Sequence, residues 1–443
     1  MLMTASAAEV VLPEQIFPQL DAILKQAVKQ SPRMLSQALT LEIAEQSRIA
    51  ARAPLLPNVG VAASFYRSED RQALLYEAGQ GISSGSAFYL NKTPYSATLS
   101  QPLYHWGALK NTAEIGEIQQ RIAQGQYREA YRVLAQTLRA DYLTLIIMKQ
   151  ATQRAAYNLE HTTALARLEE ERLAKKIISD AAIFSVRLNL ERVQIAAEQT
   201  AFDLGNAVLS FARLAGLGTS FTAADIPDRI PEIPSSSSGL NSLLTGFLAH
   251  KDPATTEAAV LRQQIEVESL TYQITRTRLR PKFNASLGMS QDEQHNYFGS
   301  GAKYRVTSIF AGVAMNWSIF DGFSARSAAR SSLARRRILE NDYRQLTERL
   351  AQDAKTQLKA AEFAARNMSI ADRLLQSGEE NLKAKSEEHG RGVISESAIG
   401  EAKLGLFDAQ INAYSARRMY FWSVGNFLGT VMEDPAVANL SAQ

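Results

Sequence analysis

The amino-acid sequence predicts an α+β chain made of two copies of one unit, each a pair of strands leading into a very long helical hairpin. Three observations carry this. The chain matches itself at a fixed offset: Pro102-Leu103-Tyr104-His105-Trp106-Gly107 resembles Ser318-Ile319-Phe320-Asp321-Gly322-Phe323, and Lys176-Ile177-Ile178-Ser179-Asp180-Ala181-Ala182-Ile183 resembles Gly392-Val393-Ile394-Ser395-Glu396-Ser397-Ala398-Ile399, both 216 residues apart. The segments before the first match of each copy alternate with period two, as strands with two different faces do. The segments after it change to spacings of three and four, with no proline to interrupt them.

Taken in chain order, residues 1–12 come first. Ala5-Ser6-Ala7-Ala8 resembles the small-residue end of an export signal, and the segment is expected to be a residual signal or a frayed terminus. The first repeat is expected over 13–217. A helical stretch from Pro18 to Arg52 leads to Ala53-Pro54-Leu55-Leu56-Pro57-Asn58-Val59, which parallels Arg278-Leu279-Arg280-Pro281-Lys282-Phe283 in the second copy. Val59, Val61, Ala63 and Phe65 alternate with Gly60, Ala62, Ser64 and Tyr66. Tyr95, Ala97, Leu99 and Gln101 form the partner strand, and Gly79 to Ser86 reads as the loop between. Then Tyr127, Tyr131, Leu134, Leu138, Tyr142 and Leu145 lay an apolar seam on a helix.

Residues 218–242 contain Pro227, Pro231, Pro234 and the run Ser235 to Ser238, a composition expected of a linker. The second repeat, 243–432, begins with a helical stretch from Pro253 to Thr277. Its strands show Phe283, Ala285, Leu287 and Met289, then Ile309, Ala311, Val313, Met315 and Trp317, with Gln291 to Ser300 as the loop. The seam Tyr343, Leu346, Leu350, Ala354, Leu358, Ala361, Ala365 and Met368 follows. Each long helix, at roughly 65 residues and ~1.5 Å per residue, is on the order of 100 Å long. Such a helix is stable only when packed against others. Residues 433–443 are expected to be a disordered tail.

Composition excludes several functions. Acidic and basic residues interleave along the helices and the net charge of 443 residues is +3, so no nucleic-acid partner is expected. Without cysteine there is no thiol catalysis, disulfide or Cys-ligated metal. His105, His161, His250, His295 and His389 stand alone, without a second ligand one turn away, so no metal, cofactor or catalytic site is expected and the chain does not read as an enzyme. Gly299-Ser300-Gly301 reads as a turn, and Arg335-Arg336-Arg337 as a solvated helix face. No apolar run approaches the roughly 20 residues of a membrane-spanning helix. Membrane insertion would fall to the strands. Four cannot close a barrel, which takes about eight, and an open edge in lipid leaves backbone groups unpaired. A chain inserted this way must oligomerise.

The repeat, the strand ends at Gln101 to Gly107 and Asn316 to Gly322, and the turns at Lys176 and Gly392 together resemble the TolC family of outer-membrane efflux proteins, over about Pro13 to Met432. The family's strand end carries an apolar pair, an acid and two glycines. Ile319-Phe320-Asp321-Gly322 keeps most of this, whereas Leu103-Tyr104-His105-Trp106-Gly107 departs at the acid and the first glycine. The resemblance implies a homotrimer in the outer membrane of a Gram-negative-type bacterium. A twelve-stranded barrel, four strands from each chain, would be continued by an α-helical coiled-coil barrel through the periplasm. It would be a passive duct of a tripartite efflux or type I secretion system, contacting membrane lipid, a periplasmic adaptor protein and an inner-membrane pump. The competing reading is a soluble or membrane-associated coiled-coil scaffold, which leaves the strands without a role.

In the family the hairpin tips close the tunnel and meet the adaptor. This implies adaptor contact for Lys176, Ser179, Gly392 and Ser395. Ser179 and Ser395 each precede an acid and a helical run, so capping alone would explain Asp180 and Glu396. The resemblance offers the pore constriction as their other role. By register from Gly392 it also places Glu401 on the axis, where threefold symmetry would make a ring. The companion position is Ala398, and a solvated helix residue is the plain alternative for Glu401.

Overall fold

The computed structural model describes residues 11–71, 87–234, 238–250, 252–296 and 303–440. Their elements are α1 (Pro13–Ile16), α2 (Pro18–Gln30), α3 (Pro32–Arg52), β1 (Asn58–Ala63), β2 (Tyr66–Arg71), β3 (Ala87–Lys92), β4 (Tyr95–Tyr104), α4 (Ala108–Ala174), α5 (Asp180–Ala215), α6 (Ser238–Ala249), α7 (Thr256–Arg276), β5 (Lys282–Asn296), β6 (Lys303–Asn316), α8 (Ser324–Gly390), α9 (Glu396–Val431) and α10 (Pro435–Leu440). α4 and α8 are both 67 residues long, α5 and α9 both 36, and each pair begins 216 residues apart. The chain forms two compact units, one of residues 1–41, 123–260 and 342–443, the other of 42–122 and 261–341.

The second unit contains one antiparallel sheet. β1 pairs with β4 and β2 with β3 in a single unbroken register, from Asn58 opposite Ser100 to Arg71 opposite Ala87. The Ser64 amide bridges the gap by donating to the Pro94 carbonyl at 3.0 Å. β3 and β4 together pair with β5, and β5 pairs with β6. The strand segments therefore lie on four lines, with β1–β2 at one edge and β6 at the other. β5 runs to Asn296, so the polar residues from Gln291 to Asn296, expected in a loop, are in the strand. Ladder hydrogen bonds are made by backbone, and they continue where the apolar alternation stops. The expected loop Gly79 to Ser86 lies outside the described residues.

The first unit holds the apolar core. Leu20, Leu24, Met34, Leu134, Leu138, Tyr142, Ile146 and Phe211 form one cluster; Leu358, Met368, Val424, Phe427 and Leu428 form another. The stretch expected as one helix from Pro18 to Arg52 breaks at Ser31, whose ψ of 129° is extended. Pro32 sterically bars the residue before it from helical geometry. Gly216 ends α5 at φ 75°, and a Cβ there would press on the backbone of Gln30 and Ser31. Glycine thus meets both the left-handed cap and the close approach to this corner.

Two expected irregular segments are structured. Within 218–242, Ile226, Ile230 and Ile233 are buried in the first cluster, and α6 begins at Ser238. Proline and serine content hid three isoleucines that anchor the segment. Within 433–443, α10 covers 435–440 and Asp434 is only 1% exposed, clamped by Arg139. Arg139 Nη1 donates to Asp434 at 2.9 Å and its Nε to Glu14 at 2.9 Å, tying both terminal segments to α4. Burial pushes the Arg139 pKa down, but the two carboxylates push harder, and it ends above the ordinary value.

Candidate pore, edge and tip surfaces

The two faces of the sheet differ in chemistry. Residues opposite one another across an antiparallel ladder share a face, so Val59, Leu99, Leu287 and Ala311 lie on one face, with Val61, Ala97, Met289 and Ile309 beside them. The other face carries Gly60, Thr98, Gly288 and Phe310, with Ser96, Ser290 and Ser308. Phe310 lies over Gly288, where a Cβ would come within 2.6 Å of its ring. Val59, Val61, Leu287, Met289, Ile309 and Val313 are all exposed in the chain. One face suits hydrocarbon and the other water, the alternation of a transmembrane β-sheet.

The strand-to-helix corners use matched backbone geometry. Trp106 and Gly107 have φ of 57° and 81°; Gly322 and Phe323 have 64° and 68°. Each corner thus contains two consecutive left-handed residues, with glycine at only one of them. A non-glycine residue there costs roughly 1–2 kcal/mol. Trp106 offsets part of that by donating Nε1–H to the Pro281 carbonyl at 2.7 Å.

In the first unit, contacts order the helices α5–α4–α9–α8. Thr152 of α4 donates to the Thr200 carbonyl of α5 at 3.4 Å. Arg154 of α4 pairs with Asp408 of α9 at 2.6 Å, and Gln150 donates to Gln410 at 2.6 Å. Arg417 of α9, nearly fully buried, holds Asp372 of α8 at 2.8 Å and also reaches the Ile230 carbonyl. Toward the tip, His161 fills the space left by Gly400, Tyr157 stacks on His161, and Lys403 sits 4.1 Å from the Tyr157 ring. Burial, with Glu160 and Glu396 nearby, raises the Tyr157 pKa.

The outer helices of this order carry a second apolar stripe. On α5, Ile183, Leu204, Val208 and Phe211 are buried, while Leu188, Ile195, Phe202 and Leu209, seven residues apart, are exposed on the opposite side. On α8, Phe363, Ile370 and Leu374 are exposed. Sequence reading missed the α5 stripe although its heptad spacing is visible, because the first-repeat seam was sought only on the preceding helix.

The turns at the tips are near copies of one another. Lys176 and Gly392 have φ of 58° and 75°. The Ile177 amide returns to the Arg172 carbonyl at 2.9 Å, and the Val393 amide to the Glu388 carbonyl at 3.0 Å. Ser179 and Ser395 cap the helices that follow, accepting from the Ala182 and Ala398 amides at 3.3 and 3.4 Å. Among the described residues other than its chain neighbours, none lies within 4 Å of where a Cβ would sit at Gly392, and its φ of 75° sets the constraint. Asp180 and Glu396 occupy the first turns of α5 and α9, Glu401 lies within the second turn of α9, and all three are exposed. Among the described residues no group of three or more His, Asp or Glu is arranged to hold a metal ion. Among the same residues no helix is long and apolar enough to cross a membrane.

An exposed, two-faced sheet combined with paired long helices defines a membrane β-sheet protein with helical hairpins. The chain belongs to the outer membrane efflux protein family, whose profile matches residues 23–217 and 257–420. It is 24% identical over 421 residues to the pyoverdine export outer membrane protein OpmQ of Pseudomonas aeruginosa, covering 90% of this chain and 85% of that one. The Campylobacter jejuni CmeC outer membrane channel superposes with a TM-score of 0.69 at 14% identity, covering 100% of this chain and 93% of that one. The outer membrane protein VceC of Vibrio cholerae gives 0.65 at 15% identity, covering 94% and 96%. The resemblance read from the sequence is thus confirmed: this is an outer-membrane efflux channel protein, with its helical portion in the periplasm.

Proposed function

We propose that three copies of this chain close into one duct, the outer component of a tripartite export system, through which substrates pass passively. The observation that carries this is that the sheet and the helix set each end in two unsatisfied edges. β1–β2 and β6 leave backbone groups unpaired at the sheet edges, a state lipid does not tolerate. α5 and α8 leave apolar stripes in water. Three copies would supply twelve strands, four from each chain, enough for a barrel. The hairpins at Lys176, Ser179, Gly392 and Ser395 would meet a periplasmic adaptor and an inner-membrane pump. Asp180, Glu396 and above all Glu401 would line the constriction. The internal duplication over 13–217 and 243–432, supported by the equal helix lengths, would make the contact between copies a near repeat of the α4–α9 contact within one.

That register gives the experiment. His161 of α4 meets Gly400 of α9. Shifted by 216 residues in opposite directions, the same pairing sets Ser377 of one copy against Phe184 of the next. In this cysteine-free chain, Phe184→Cys with Ser377→Cys, treated with a short bismaleimide in outer-membrane fractions, should yield covalent dimers and trimers and nothing larger. A chain that stays monomeric, or a ladder beyond three, would refute the closed trimer.

A further inference from the structure

The connection from α7 into β5 carries four cations in seven residues, Arg276, Arg278, Arg280 and Lys282, with no acid among them. The corresponding seven residues of the first half, Arg52 to Asn58, carry one cation, Arg52. Arg276, Arg278 and Arg280 are exposed and Lys282 is half-buried. Among the described residues only one carboxylate reaches any of the four: Asp321, 3.8 Å from Arg278. The Arg280 guanidinium lies 4.8 Å above the Trp106 ring, and Arg276 lies 5.7 Å from that of Tyr272. Aromatic faces hold these cations in place without neutralising them.

The same short segment anchors two indoles. Trp106 donates to the Pro281 carbonyl at 2.7 Å and Trp317 to the Leu279 carbonyl at 3.0 Å. Exposed Tyr104, Ile319, Phe320 and Phe323 lie in the adjoining strand ends and corners. Tryptophan and tyrosine gather at the level of lipid headgroups, between hydrocarbon and water. Here the sheet ends and the helices begin, and among the described residues no helix is long and apolar enough to span lipid. A sheet embedded up to this point would put the cations at headgroup depth, on the periplasmic side.

We propose that Arg276, Arg278, Arg280 and Lys282 form a binding site for an anionic phospholipid headgroup, with Trp106 as its floor. Guanidinium groups suit phosphate because they offer paired N–H donors in a fixed plane, and basic clusters beside a membrane favour anionic lipids. The proposal rests on the membrane-embedded sheet but not on the trimer, since all four cations belong to one chain.

The full-length protein in detergent is titrated with dioleoylphosphatidylglycerol or dioleoylphosphatidylethanolamine, and bound lipid is counted by native mass spectrometry. Phosphatidylglycerol should bind about tenfold more tightly. The preference should vanish in R276Q/R278Q/R280Q/K282Q and persist in R276K/R278K/R280K. Insertion of each variant into phosphatidylcholine vesicles is scored separately, so failure of the embedded-sheet reading is distinguishable from failure of the lipid site. Should the neutral variant not fold, the parent decides alone: raising salt from about 50 to about 500 mM should erase its preference. Equal binding of the two lipids by the parent, an undiminished preference in the neutral variant, or equal occupancy by inorganic phosphate would overturn the proposal.

Discussion

Phe202→Ser tests the closure of the helix set at one side chain. Phe202 is 68% exposed in the single chain and lies on the α5 stripe opposite the buried one. Full burial of a phenylalanine stabilises by about 1.5–3 kcal/mol, so covering what is exposed here gains roughly 1–2 kcal/mol per copy. A closed ring of three contains three such contacts, so the substitution should cost the trimer roughly 3–6 kcal/mol. At about 1.4 kcal/mol per factor of ten, that is about two to four decades in the equilibrium between trimer and monomers. The assay is dilution of detergent-solubilised protein, followed by sedimentation velocity. The parent should remain trimeric at concentrations where Phe202→Ser has dissociated. Asp203→Ser, also exposed but a quarter-turn off the stripe, should behave as the parent does. If Phe202→Ser dissociates no earlier than Asp203→Ser, the stripe is not a subunit contact and the edge reasoning fails.

Other outcomes follow from particular contacts. Burial raises Tyr131 and Tyr142 to about 12, above the ordinary 10.0; the folded form holds these protons longer, so their contribution is complete below about pH 10 and is lost between about 10 and 12. Urea titrations across that window should show a stability loss that Tyr142→Phe reduces. Arg139→Met leaves the half-buried Glu14 and the buried Asp434 without their cation and should cost about 3–5 kcal/mol in chemical denaturation. At the tips, Lys176→Gly should stabilise by about 1 kcal/mol and Gly392→Ala should destabilise by a similar amount, because both sites have positive φ; hydrogen exchange at the two turns reads both signs. Glu401→Gln should weaken the cation preference of single channels in planar bilayers, and unchanged selectivity would remove Glu401 from the constriction.

Much of this molecule was legible because its elements are long and periodic. A 216-residue self-match and proline-free seams located α4, α5, α8 and α9, and period-two alternation located the strands. What was missed has local physical causes. The break at Ser31 was available from Pro32 but was outweighed by the helical pattern on both sides. The far end of β5 was hidden because beyond the apolar band both faces are polar, while the ladder continues through backbone. The packed stretch at Ile226, Ile230 and Ile233 was masked by its prolines and serines. The Arg139–Asp434 pair joins residues 295 apart in sequence, and no periodicity reports such a contact. The tip turns were found from the aligned Ser179 and Ser395, and both turn residues, Lys176 and Gly392, adopt positive φ.

The duplication would also explain why the proposed contact between copies need not be identical to the contact within one. Within the chain, the large member of the α4–α9 pair near the tip is His161 on α4, and the small one is Gly400 on α9. Carried over by 216 residues, the equivalent pair is Ser377 on α8 and Phe184 on α5, both exposed in the single chain. Bulk and gap have changed sides, and in the proposed contact between copies their combined fit would be kept. Further along, Arg132 of α4 presses on Gly429 of α9; the carried-over pair is Glu348 and Arg213, opposite charges that would face one another in the proposed contact. A chain whose free surfaces were only residual apolar area would have no reason to show such compensation at positions set by its own repeat. In the proposed assembly the edges would be complementary head to tail, the arrangement that closes into a ring when the rotation per copy is right and otherwise extends without limit. Reversing the charges with Glu348→Arg alone should weaken association, and adding Arg213→Glu should restore it, an outcome that a lone solvated side chain at either site would not produce.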